Sequence, residues 1–189
     1  MVAQVYRHAG FRVTQALMDG EFKTMHGELS ELETALSTTA CNEHVGDIER
    51  YIRMIKEQMR ANYNTLPYQN IPPRLIIEMA KHALFWLNSF PQPNAARGPI
   101  SPRTLLTGVK LDFNKYCKYQ FGEYVQTHEE HDNTMAPRAI GALALCPTGN
   151  AQGSFHFFSF SSGQVITRNW ETSLPMPDEV IAHVHRIAC

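Results

Sequence analysis

Glu43–Tyr63 reads EHVGDIERYIRMIKEQMRANY, and the order of its apolar and charged residues sets the terms for the rest of the chain. Val45, Ile48, Ile52, Ile55 and Met59 recur at three- and four-residue steps, the stripe of a helix that turns one side to a core. A second stripe, Glu49, Arg53, Lys56 and Arg60, runs beside it. It has two readings. Glu followed four residues later by Arg is ordinary pairing on a solvated face. A carboxylate near the start of a helix, with cations on its later turns, also suits a metal ion with a polyanion lying along it.

Around this helix the chain has ordinary globular composition. Its 189 residues are 43% hydrophobic and 10% aromatic, enough for one domain or for one domain and a small module. A formal net charge of −1 excludes a uniformly basic nucleic-acid coat but leaves local basic stripes open. Cys41, Cys117, Cys146 and Cys189 are far apart and form no C-x-x-C pair. They read as neither a zinc site nor a disulfide framework, and they fit a reducing compartment. No apolar run approaches the ~18 residues of a membrane helix, and the N-terminus lacks a signal-peptide core. The expectation is an intracellular protein of nucleus or cytoplasm, away from membranes.

Upstream, Phe11, Val13 and Ala16–Met18 suggest a strand that follows Ala9-Gly10 and stops at Asp19-Gly20. Met25, Leu29, Leu32 and Leu36 predict a helix from about Phe22 to Leu36, with an extended piece over Ser37–Asn42. Downstream, Pro72-Pro73 opens a helix through Ile76, Met79, Ala83 and Leu87 to about Ser89. Strand, helix, strand, helix, helix describes half of an α/β layered domain. Phe90–Arg103 then carries four prolines and reads as a linker. Beyond it short strands are predicted over Tyr119–Thr127, Ala139–Leu145, Ser154–Phe160 and Gln164–Arg168. Turn sequences separate them at Pro147–Asn150 and Ser161–Gly163, as in a small antiparallel barrel. Asp178 is placed to cap a last helix, Glu179–Ile187.

The chemistry centres on two acids. Asp19 stands at a strand end, where α/β sheets present functional side chains, and Glu49 stands on a later helix. Facing carboxylates of this kind build oxygen-rich Mg2+ sites, and paired ions align the attacking and leaving oxygens of phosphoryl transfer. Alone, Asp19 reads better as the turn residue before Gly20 and Glu21. His128-Glu-Glu-His131-Asp132 reads as a polar hairpin loop ahead of a metal site. His183 and His185 read as surface residues of the last helix. Cys117 and Cys146 have no base beside them in sequence and are assigned no nucleophilic role. Phe155, Phe157, Phe158 and Phe160 fit barrel core better than base stacking.

Four ordered segments resemble the polyprotein of copia-type retrotransposons. Met18-Asp19-Gly20-Glu21-Phe22 is similar to the "DNG-GEF" segment around the second catalytic aspartate of their integrases. His44-Val-Gly-Asp-Ile-Glu49-Arg50-Tyr-Ile-Arg53 resembles the "NGVAERKNR" helix whose Glu closes the D,D,E triad. Ser101-Pro-Arg-Thr-Leu-Leu-Thr-Gly108 resembles "TPYELWTG", and Phe121-Gly-Glu-Tyr-Val125 resembles the "FGCxxYV" strand that opens an SH3-like barrel. The resemblance spans essentially the whole chain. It implies an α/β ribonuclease-H-like fold, partial because its N-terminal strands are missing, followed by a small all-β SH3-like barrel.

The implied divisions are 1–90 for the partial catalytic core, 91–117 for a linker and connecting helix, 118–175 for the barrel and 176–189 for a C-terminal helix. The implied activity is DNA strand transfer through Mg2+ or Mn2+, with Asp19 and Glu49 as catalytic carboxylates and metal ligands. Arg53, Lys56 and Arg60 are the implied DNA contacts. The implied partners are DNA and, as in integrases, further copies of the chain. The pattern's first aspartate has no counterpart in these residues, its upstream histidine–cysteine zinc module has none either, and Glu49 follows Asp19 at closer spacing than usual. The expectation is therefore a fragment without strand-transfer activity, poorly stable when made alone because an apolar face stays uncovered. The alternative is a non-catalytic module that binds nucleic acid or protein through the barrel.

Overall fold

The computed structural model describes residues 2–39, 46–91, 98–129, 133–135 and 137–188. Packing divides the chain into two units, Met1–Met54 with Ser89–Lys110, and Ile55–Asn88 with Leu111–Cys189. Helices and strands occur in both.

In the first unit, helix α1 (Val2–His8) precedes strand β1 (Gln15–Met18), the strand expected before Asp19. A 3-10 turn (Gly20–Met25) and helix α2 (His26–Glu31) lead into strand β2 (Ala35–Thr38), which pairs parallel to β1 with Met18 opposite Thr38. Parallel strands need a crossover of a dozen or more residues, and the turn with α2 supplies it. The single helix expected over Phe22–Leu36 is thus shorter, and Leu36 lies in β2. Glu33 takes a left-handed φ of 55°, which ends the helical run, and the Thr-rich segment after it prefers extended backbone. Residues 40–42, the end of the expected extended piece, lie outside the described residues, as does Val45. Helix α5 (Pro102–Thr107) is capped by Ser101, whose hydroxyl accepts from Thr104 N–H at 3.2 Å.

Helix α3 (Gly46–Thr65) is the helix foreseen from the opening stretch, and it runs unbroken from the first unit into the second. Its apolar stripe is only partly used. Ile48 and Ile52 are 47% and 45% exposed, whereas Met59 packs against the core of the second unit.

Helix α4 (Pro73–Ser89) starts on Pro73, where a missing N–H costs nothing. Its buried side is Leu75, Glu78, Met79 and Ala83: the expected stripe holds at Met79 and Ala83, while Leu75 takes the inward place expected of Ile76, which faces out. Glu78, only 2% exposed, occupies an inward position that apolar periodicity does not register. Its charge is met by Lys81 Nζ at 2.8 Å and Arg74 Nε at 3.6 Å. Leu75 and Met79 share a core with Phe121, Leu143, Leu145, Phe158 and Val184. For that reason α4 belongs with the strands that follow it, whereas Ser89–Lys110 goes with the first unit.

Helix α6 (Phe113–Tyr116) is followed by β3 (Tyr124–His128), β4 (Ala139–Pro147), β5 (Phe155–Ser159), β6 (Val165–Arg168), β7 (Glu171–Ser173) and helix α7 (Asp178–Ile187). The strands form one antiparallel sheet in the order β6-β5-β4-β3-β7. Strand β3 begins later than expected because Gly122 turns the chain at φ +79°. Three-residue β7 is too short and polar to show a period. Pro177, not Asp178, is the N-cap of α7, and Asp178 sits inside the first turn.

The sheet's edges, β6 and β7, are joined through Asn169 and Trp170 alone. Three Cα steps of ~3.8 Å reach about 11 Å, whereas the edges of a flat five-stranded sheet would stand about 19 Å apart. The sheet therefore curls enough to bring the end of β6 within about 11 Å of the start of β7, helped by an irregularity in β4 between Ala144 and Cys146 that sharpens its twist. Val125, Ala142, Ala144, Phe155 and Phe157 form one core cluster, and Leu143, Leu145 and Phe158 belong to the other, with α4 and α7.

Candidate nucleic-acid interface

Successive residues of a helix advance by about 100°, so Glu49, Arg53, Lys56 and Arg60 of α3 fall on one narrow strip of its surface. All four are exposed. Among the described residues, Arg53, Lys56 and Arg60 have no carboxylate within salt-bridge distance. The Glu49–Arg53 pairing that their spacing suggests does not form. Arg50, beside the strip, lies over the ring of Tyr51 at 5.9 Å. The result is a row of solvated cations along α3.

Asp19 is exposed just beyond β1, and its Oδ1 accepts from Gly20 N–H at 2.6 Å, making it the cap of the 3-10 turn. Asp19 and Glu49 stand on separate elements of the first unit. Among the described residues no three His, Cys, Asp or Glu side chains are grouped to hold a metal ion. A pair of ions needs carboxylates that bridge and flank both. Two carboxylates, one already engaged with a backbone N–H, do not make that donor set, and no chemical step is assigned to it.

The remaining candidates resolve differently. Glu129 is held by Arg168 at 2.7 Å, at the corner between β3 and β6, while Glu130, His131 and Asp132 lie outside the described residues. Phe155, Phe157 and Phe158 are buried and closed to bases. His183 and His185 are not simply surface residues. His183 packs its ring edge-on to Phe160 at 5.2 Å, and His185 Nε2 accepts from Gln69 N–H at 3.0 Å. Cys146 is buried, and its thiol is pushed up to about 11 by burial and then by the charge of Glu78. Exposed Cys117 is also shifted up by desolvation, away from nucleophilic reactivity.

A second site, which sequence periodicity does not disclose, lies within the second unit. A cavity of about 530 Å³ is lined by His82, Trp86, Cys117, Lys118, Gln120 and Phe121, with Asn62, Thr65, Tyr119 and Glu123 around them. His82 Nδ1 lies 2.8 Å from the Leu145 carbonyl, which only a donating N–H can satisfy. Its ring is flanked edge-on by Phe121 at 5.4 Å and Trp86 at 6.2 Å. Burial lowers its pKa, and the bond to Leu145 opposes this only in part. The imidazole is therefore neutral near pH 7, with its lone pair on Nε2. Nε2 has no partner among the described residues and is not sealed from solvent. The signal in sequence was faint: His82 and Trp86 lie one turn apart on the α4 helix, with Phe121 far downstream.

The chain matches no model of a known protein family and no curated protein. Its site residues are accordingly read from their own geometry. Among the described residues, no helix is long and apolar enough to cross a membrane.

Proposed function

We propose that the chain is a non-catalytic nucleic-acid-binding fragment derived from a copia-type integrase, which grips the DNA backbone along α3. The observation that carries this reading is the strip of Arg53, Lys56 and Arg60, exposed and without ionic partners among the described residues. Side chains that are already solvated and unpaired gain from phosphate contact the entropy of released counterions and forfeit no existing ion pair. A ribonuclease-H-like origin for the first unit is supported by the parallel β1–β2 pair with Asp19 at its end and the Glu49 helix after it. An SH3-like reading of the second unit is supported by the strand order and by the two-residue link that brings its edges together.

Fluorescence anisotropy with a short duplex, over a series of salt concentrations, tests the α3 assignment. Three phosphate contacts give a slope of about −2.7 in log affinity against log salt. Arg53→Glu, Lys56→Glu and Arg60→Glu together are expected to flatten that slope and to weaken binding at least about tenfold at low salt. An unchanged slope in the triple variant would remove α3 as the interface. Binding that survives there at full strength would favour the second unit as a self-sufficient binding module.

A further inference from the structure

We infer that the cavity beside His82 receives an unpaired base of a single-stranded nucleic acid, with the adjoining phosphate on Lys118. The choice of ligand class rests on the nucleic-acid reading above, whereas the site itself is independent of α3. Its lining includes His82, whose Nε2 has no partner among the described residues, and Trp86, against which the His82 ring packs edge-on. Each of the four bases has an N–H on its pairing edge: N3 of thymine, N1 of guanine, and the amino groups of adenine and cytosine. His82 Nε2 can therefore accept from any of the four. Half-buried Trp86 adds a ring contact that every base can make.

The rim fits the rest of a nucleotide. Lys118 is exposed at the cavity, and the Gln120 side chain lies beside it. Glu123 is the sole acid in the lining, and both of its oxygens are engaged: one accepts from Gln120 N–H at 2.9 Å, the other from the Ser173 hydroxyl. About 530 Å³ falls within the range of small-ligand pockets. A base within a duplex is closed to this site, because its pairing edge is occupied and its faces are stacked. The cavity thus separates single strands from duplexes, which a row of cations cannot do.

The chain has two tryptophans, so a Trp170→Phe background leaves Trp86 as the only indole reporter. Titration of that protein with an eight-nucleotide oligothymidylate should quench Trp86 emission saturably. The same strand annealed to its complement should quench at least about tenfold more weakly. His82→Phe, which keeps a ring but removes the acceptor, and Lys118→Glu, a surface change that leaves the core intact, should each weaken the single-strand response about five- to tenfold. The triple α3 reversal should leave that response within about twofold, even where duplex binding is lost. Equal quenching by duplex and single strand would overturn the inference. So would an unaltered response in Lys118→Glu, or loss of the response in the α3 variant. Duplex binding that ignores the α3 reversal would instead refute the α3 assignment and leave the cavity standing.

Discussion

His82 and His156 bind protons less readily in the folded chain than in water, each chiefly because burial disfavours the charged ring. The unfolded chain takes up these protons near the ordinary value of 6.5, the folded chain only at lower pH. Their contribution to stability is therefore fully present above about pH 6.5 and is lost as pH falls below it. Glu171 acts in the opposite sense. Burial raises its carboxyl above 4.5, so its cost at neutral pH is relieved as the solution becomes acidic enough to protonate it. The expected outcome is a urea midpoint that drops between pH 7.5 and 5.5, with a smaller drop in His82→Gln. An identical drop in that variant would show that other groups govern the acid limb. Neither histidine announced its burial in sequence, since each stands between residues of unremarkable pattern. Only the packing of α4 on the strands desolvates them.

Among the elements, the turn that delivers the chain into β3 depends on one glycine. Gly122 has φ +79°, and a Cβ there would come within 2.3 Å of Leu66 Cδ2. Gly163 also has a positive φ, +64°, but nothing lies within 4 Å of its missing Cβ. Gly163→Ala is expected to cost about 1 kcal/mol from backbone strain alone. Gly122→Ala should cost about 1–3 kcal/mol more, because Leu66 must also be displaced. Chemical denaturation of the two variants separates the contributions, and equal losses would mean that Leu66 yields freely.

This element was partly legible. The Phe121–Val125 motif places a strand near its observed position but takes Gly122 into that strand, not into the turn before it. The residues of α3 and α4 were read correctly as helices because long runs impose their period. The short elements were not, since three-residue β7 is too brief to express a period, and in α2 a helical spacing continued by coincidence onto Leu36. The two acids were legible as types at element ends. Sequence could not show that Asp19 would turn an oxygen to Gly20 N–H.

At the scale of the whole molecule, apolar surface is spread unevenly. Leu17 and Phe22 are 49% and 47% exposed in the first unit, together with the outward Ile48 and Ile52 of α3. Parallel strands are ordinarily covered on both faces, and among the described residues β1 and β2 pair only with each other. Such surface drives self-association. Leu17→Thr with Phe22→Gln is expected to raise the monomer fraction of the purified chain, read by light scattering behind a sizing column. Because both changes are at exposed positions, the helical circular dichroism should stay the same. A monomer fraction that does not move would place the association elsewhere.

Closure of the curled sheet imposes an order in time. Strand β3 is the first of its sheet to leave the ribosome, and one of its two neighbours, β7, is the last. A contact between segments so distant along the chain has a high loop-closure entropy and forms slowly. Until β7 emerges, β3 presents an unpaired edge to the cell, and α7 has not yet covered Leu143, Leu145 and Phe158. The nascent second unit is thus most vulnerable to chaperones, proteases and its own copies until β7 and α7 have emerged.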